Sequence, residues 1–101
     1  MDNFKFEIKG ERLFIVVGGK INTYNAGIFE KEFWAEIKGK EVSSVEIDAK
    51  NLEYLSSAGL RSIFCIKDEI DDFKIINVSD EIYSIFDVTG FTNMMDIEKT
   101  K

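Results

Sequence analysis

Two adjacent hydroxyls, Ser56 and Ser57, open the run Ser56-Ser57-Ala58-Gly59-Leu60-Arg61 near the middle of this chain. Alternating apolar residues over 44–48, continued through 49–55, predict a strand leading into the run. The spacing of Leu60, Ile63, Phe64 and Ile70 predicts a helix over 60–70 leaving it. The hydroxyls therefore stand where a strand turns into a helix N-terminus. The first backbone N–H groups of a helix have no internal partners, and the macrodipole places partial positive charge there. Such a position suits a phosphate group. A serine there either caps the helix or gains a negative charge as a phosphoacceptor. Capping needs only one of the two, and neither serine has Glu or Gln three residues on, so no capping box is present. Gly59 in the first helical turn costs up to about 1 kcal/mol against Ala. It either eases the tight turn or lets another backbone approach closely. Arg61 lies four residues after Ser57, on the same helix face, and its guanidinium fork suits a phosphate.

Other chemistry is thin. The 101 residues include no His, which excludes histidine triads, histidine metal sites and histidine bases. The single Cys, Cys65, makes neither an internal disulfide nor a zinc cluster and reads as a small core residue. Asp48 ends its strand with no His or second acid beside it in sequence, so its expected role is to order the following segment by hydrogen bonding. Gly18-Gly19 is too sparse for a phosphate loop. No activating base for a serine nucleophile can be named. No enzyme activity, metal or cofactor is therefore expected.

The net charge of −6 offers no basic footprint for nucleic acid and favours solubility and a basic partner. No apolar run approaches the roughly 20 residues of a membrane span, and the first five residues lack the apolar stretch of a signal peptide. A soluble, cytoplasmic protein is expected, with its 101 residues forming one domain around one core.

The elements that position the serines follow from pattern. Residues 4–9 alternate apolar and charged, as in a half-buried strand near a sheet edge. Gly10-Glu11-Arg12 is a turn. Residues 13–17 are continuously apolar, as in a strand covered on both faces or crossing the core, which Gly18-Gly19 would end. Asn22-Thr23 is a plausible helix start, with Phe29, Phe33 and Ile37 as its apolar stripe, Trp34 off that stripe, and Gly39 closing it. After the 60–70 helix, Asp68, Glu69, Asp71 and Asp72 read as a solvated acidic segment. Residues 73–78 form a further strand. Ser79-Asp80 caps a short helix bearing Ile82, Ile85 and Phe86, and Thr89-Gly90 stops it. A last strand is expected over 94–97, followed by a lysine-bearing tail. The order β-β-α-β-α-β-α-β is that of an α/β mixed sheet with helices packed on it.

On these residues the chain resembles the STAS family, and within it the bacterial anti-sigma factor antagonists. The resemblance rests on Gly19-Lys20-Ile21-Asn22, on Asp48 followed by Leu52 to Leu60 with Ser56-Ser57-Ala58-Gly59 inside, and on Phe86-Asp87-Val88-Thr89-Gly90-Phe91. It spans nearly the whole chain. It implies a mixed sheet with helices mainly on one face. It also implies a protein that, unphosphorylated, binds an anti-sigma Ser/Thr kinase of the histidine-kinase-like ATPase fold and so frees a sigma factor. The kinase phosphorylates a serine at the start of the second helix, and a PP2C-type phosphatase reverses this. By residue matching the acceptor falls on Ser57. Asn22, Ser56, Ser57, Ala58, Gly59 and Arg61 are the expected partner-binding residues. The chain departs from the pattern in having Ser56 and Asn22 where these antagonists usually carry acids. The competing reading is a non-switching STAS subunit of a transport or sensory complex.

Overall fold

The structure, a computed structural model, describes residues 4–100. Residues 1–3, part of the stretch expected to lack a signal peptide, and residue 101 of the tail lie outside the described residues.

Five strands form one sheet in the order β1 (Phe4–Lys9), β2 (Arg12–Ile21), β3 (Ser44–Leu55), β4 (Asp72–Val78) and β5 (Asp96–Lys99). The helices α1 (Ala26–Ile37), α2 (Ser57–Glu69) and α3 (Asp80–Val88) connect the last four strands, with a 3-10 turn at Phe91–Asn93. The first two strands are an antiparallel hairpin; every later neighbour is parallel. Three crossovers progress the same way across the sheet. The right-handed preference of such connections then stacks all three helices on one face. Leu13, Ile15, Val17, Val45, Ile47, Phe73 and Ile75 point to that face and pack against Phe29, Phe33, Ile63, Ile66, Ile82 and Phe86, all buried.

The other sheet face has no helices, so of the two expectations for residues 13–17 coverage on both faces is corrected, while β2 does run through the core. Residues 13–17 alternate, with Leu13, Ile15 and Val17 buried while Val16 is 40% exposed. Phe14 on the open face is shielded by cations, with Lys9 and Arg12 at 5.8 and 5.9 Å from its ring centroid. A continuous apolar run reports the strand but not whether both faces are covered, because aliphatic stems of charged neighbours can cover one of them.

Gly18-Gly19 does not end β2, which runs on to Ile21. The pair instead sits where the register against β3 slips, between Val16 and Gly18 and again between Gly19 and Lys20. Val16 faces Asp48 but Gly18 faces Asn51, and Gly19 faces Leu52 but Lys20 faces Tyr54. Each slip gives β3 one extra residue, so twelve residues of β3 accompany ten of β2. Such bulges bend a strand and increase its twist. Gly19 takes φ +66, open to glycine at little cost. The Asp48 carboxylate accepts from the Lys50 N–H at 3.0 Å, inside the first bulge, and from Asn77 Nδ2 at 3.1 Å. It thus orders the segment after it, as expected.

Further differences concern the starts of elements and the buried stripe of α2. Helix α1 begins at Ala26 rather than at Asn22-Thr23, because Asn22 closes a separate turn ahead of it. The last strand starts at Asp96; Met94 and Met95 belong to the exit of the 3-10 turn, where their N–H groups bond the Phe91 carbonyl. The buried stripe of α2 is Gly59, Ser62, Ile63 and Ile66, continued by Ile70 at the cap, whereas Phe64 is 42% exposed. Residues 59, 63, 66 and 70 follow the 3.6 period; Leu60 and Phe64 lie one position around, where the Phe64 ring meets Phe91 at 6.2 Å. Cys65 is half-buried on α2 rather than a core residue.

Candidate functional site

The two serines divide the roles that the sequence left open. Ser56 is the N-cap of α2, with extended backbone (φ −86, ψ 172), and its Oγ accepts from the Gly59 N–H at 3.1 Å. Its own N–H donates to the Ile21 carbonyl at 2.9 Å, which ties the end of β3 to the end of β2. Ser57 is the first helical residue, exposed, and its hydroxyl has no hydrogen-bond partner among the described residues. A cap oxygen engaged with the backbone is a poor nucleophile and a poor place for a phosphate. A free hydroxyl one residue later, beside unpaired N–H groups of the first turn, is open to both.

Gly59 is buried, and a close internal approach accounts for it. A Cβ there would stand 2.7 Å from Leu55 Cδ1, 2.8 Å from Ile21 Cγ2 and 3.1 Å from the Ile21 carbonyl oxygen. Its missing side chain lets α2 settle on the end of β2. Ala58 is half-buried and Arg61 is exposed on the same turn-to-turn face as Ser57.

Asn22 is held beside this turn by a reciprocal network. Its Oδ1 accepts from the N–H groups of Tyr24 at 2.9 Å and Asn25 at 3.1 Å. Asn25 Oδ1 accepts from the Asn22 N–H at 2.7 Å, and Asn25 Nδ2 donates to the Lys20 carbonyl at 2.8 Å. The loop is thereby fixed by side-chain amides rather than by core packing. It carries Tyr24 out to 90% exposure, with Ile28 one turn along α1 at 50%. Deeper in, Ser62 is buried on α2 with its Oγ 3.1 Å from the Ala26 carbonyl and 2.9 Å from Glu30 Oε1, locking α1 to α2. The structure thus gathers Asn22, Ser56, Ser57, Ala58, Gly59 and Arg61 at one end of the sheet. Tyr24 and Ile28 were not singled out from the sequence; the available signal was that neither fits the 29, 33, 37 stripe. Among the described residues no group of three metal-ligating side chains forms, and no helix is long and apolar enough to cross a membrane.

The fold is that of several solved proteins. A putative anti-sigma factor antagonist from Thermotoga maritima superposes with a TM-score of 0.86 at 19% identity, over 96% of this chain and 86% of that one. The anti-sigma factor antagonist SpoIIAA in its unphosphorylated form gives 0.80 at 16% identity, over 93% and 86%. Part of the murine anion transporter Slc26a9 gives 0.71 at 9% identity, over 94% of this chain but 17% of that one. No curated protein sequence matches. At these identities the likeness is one of fold, and it agrees with the β-β-α-β-α-β-α-β order read from the sequence. The model of the STAS domain matches residues 3–101, and on that match the chain belongs to the STAS domain family.

Proposed function

We propose that this protein is a phosphorylation-switched anti-sigma factor antagonist, cytoplasmic and without catalytic activity of its own. Unphosphorylated, it binds an anti-sigma Ser/Thr kinase of the histidine-kinase-like ATPase fold, and the sigma factor is released to transcription. The kinase then transfers the γ-phosphoryl group of ATP to Ser57 Oγ. ADP leaves, the hydroxyl proton passes to a kinase base or to solvent, and the complex separates. A PP2C-type phosphatase hydrolyses the phosphoester and restores binding.

The observation that carries this reading is the division of labour between the two serines: Ser56 caps α2 while Ser57 is exposed and free. A phosphate on Ser57 adds about −1.5 to −2 charges without displacing a structural hydrogen bond. Solved relatives support it. SpoIIAA of Bacillus has been determined in both unphosphorylated and phosphorylated forms, and RsbS of Moorella thermoacetica as a serine-to-glutamate variant. The test is to incubate the protein with ATP and each purified anti-sigma kinase of its source organism, then map the phosphate by mass spectrometry. Label on Ser57, lost in Ser57→Ala, is expected. Label on Ser56, or undiminished labelling of Ser57→Ala, overturns the assignment.

A second reading, a non-switching subunit of a transport or sensory complex, draws on the same fold occurring within the transporter Slc26a9. Absence of any phosphorylation, with stable binding to a transporter or sensor component, favours it.

A further inference from the structure

The two stretches of sequence that meet at Ser57 carry a charge opposite to that of the whole chain. The protein has 19 Asp and Glu against 13 Lys and Arg. Yet residues 12–29 and 54–67 contain no carboxylate at all. These two stretches meet at the site: Ser56 N–H bonds the Ile21 carbonyl, and Gly59 packs on Ile21. Four cations lie in them. Arg12 is paired with Glu46 at 3.5 Å and Lys67 with Asp71 at 3.7 Å, both away from the serines. Lys20 and Arg61 have no ion-pair partner among the described residues. Of the nearby carboxylates, Glu30 on α1 is bonded to Ser62, and Glu53 is the extra, exposed residue of the second bulge, between the residues that face Gly19 and Lys20. The N-terminus of α2 adds partial positive charge to the same end. On the open sheet face a cation and an acid pair, as Lys74 and Glu98 do at 3.3 Å.

Apolar groups accompany that charge. Tyr24 and Ile28 project at 90% and 50% exposure from a loop and helix start whose backbone the Asn22–Asn25 network pins. A tyrosine side chain has only two torsions to lose on binding, and aromatic residues are common anchors of interfaces.

We propose that this end of the molecule docks a protein face that is acidic, with carboxylates set around an apolar recess that receives Tyr24 and Ile28. The identification of that protein as a kinase rests on the reading above; the sign of its charge rests on Lys20, Arg61 and the carboxylate-free stretches. It reverses the expectation, drawn from net charge, of a basic partner. It also gives Ser57 an electrostatic logic: the roughly two negative charges of a phosphate cancel the two free positive charges that steer the encounter.

The test measures association and dissociation rates of the purified anti-sigma kinases with wild type, Lys20→Glu, Arg61→Glu, Asn22→Asp and Tyr24→Ala at low and high salt, after circular dichroism confirms folding. Each charge reversal is expected to slow association about tenfold at low salt, with the difference shrinking at high salt. Asn22→Asp keeps the acceptor oxygen of the loop network and is expected to slow it about threefold. Tyr24→Ala is expected to speed dissociation tenfold or more. Reversals that accelerate association, or leave it within twofold, overturn the proposal. If no kinase binds, the phosphoswitch reading fails separately, and an amide NMR titration at low salt decides the surface. Octa-glutamate is expected to shift amides of 20–25 and 57–61 more than any others, with octa-lysine acting elsewhere. Octa-lysine binding at those amides, or no octa-glutamate effect there, overturns it.

Discussion

The approach of α2 to β2 through Gly59 gives a direct test of how the site is built. Substituting Ala inserts one methyl carbon at 2.7 Å from Leu55 Cδ1 and 2.8 Å from Ile21 Cγ2. Ordinary carbon contacts are 3.5–4.0 Å, so about 1 Å must be made up. The Leu55 methyl can turn aside, but Ile21 is fully buried and β-branched, and its carbonyl oxygen at 3.1 Å is held by the Ser56 N–H. Relief therefore comes from lifting the first turn of α2, which lengthens the Ser56–Ile21 bond. Overpacking of this kind costs about 1–3 kcal/mol, while Ala in place of Gly in a helix returns up to about 1 kcal/mol. The net expectation is a loss of about 1–2 kcal/mol. For a domain of this size that lowers Tm by roughly 4–16 °C.

Gly27→Ala is the control. It too lies in the first turn of a helix, but no heavy atom stands within 4 Å of the added methyl. Only the helix term remains, and Gly27→Ala is expected to raise stability by up to about 1 kcal/mol. Thermal melts followed by circular dichroism, with urea midpoints alongside, measure both. Equal effects of the two substitutions, or a Gly59→Ala protein as stable as wild type, would refute the packing argument and return Gly59 to the surface as a contact residue.

Ser56→Ala removes the cap of α2 and is expected to cost about 1 kcal/mol in urea denaturation, whereas Ser57→Ala should change stability by less than about 0.5 kcal/mol. Ser57→Asp places a carboxylate near the positive end of α2 and is expected to keep or slightly raise Tm while weakening kinase binding in titration calorimetry; Ser57→Ala should bind persistently. Arg61, four residues on, is expected to hold the phosphate of phosphorylated Ser57. Phosphorylation should then raise Tm more in wild type than in Arg61→Ala, by an increment worth about 0–1 kcal/mol, and identical shifts in both backgrounds would dismiss the contact.

Much of this was legible in the sequence because the local signals agreed with the global fold. The alternation in 4–9 and 44–48, the Ser79 cap and the Thr89-Gly90 stop all specify their elements by periods and caps that tertiary packing then respects. What escaped depends on long-range register. Gly18-Gly19 looked like punctuation because a glycine pair in isolation breaks a strand; only the pairing of β2 with the longer β3 makes it the site of two bulges. Asn22 looked like a helix cap because cap and Asx-turn residues share a chemistry, and the choice between them was made by Asn25 closing the loop onto Lys20. Phe64 looked buried because a four-residue spacing from Leu60 fits a helix stripe, but the core-facing stripe is the neighbouring one, centred on Ile63 and Ile66. For the serines, the sequence offered two candidates and one capping role; the hydrogen bond from Gly59 to Ser56 assigned that role.

That assignment bears on how such a site can switch without refolding. The bonds that build the turn, Gly59 N–H to Ser56 Oγ and Ser56 N–H to the Ile21 carbonyl, use no atom of the Ser57 side chain. A group added to Ser57 therefore competes with none of them, and the helix terminus beneath it favours negative charge. The stability of the fold and the charge of its surface become separable variables. Under the proposed function that separation is what a reversible switch requires: both forms stay folded, and only the encounter with the partner changes. Asn22 fits the same logic, because its amide oxygen closes the loop as a carboxylate oxygen could, but adds no charge to the surface that Lys20 and Arg61 make positive.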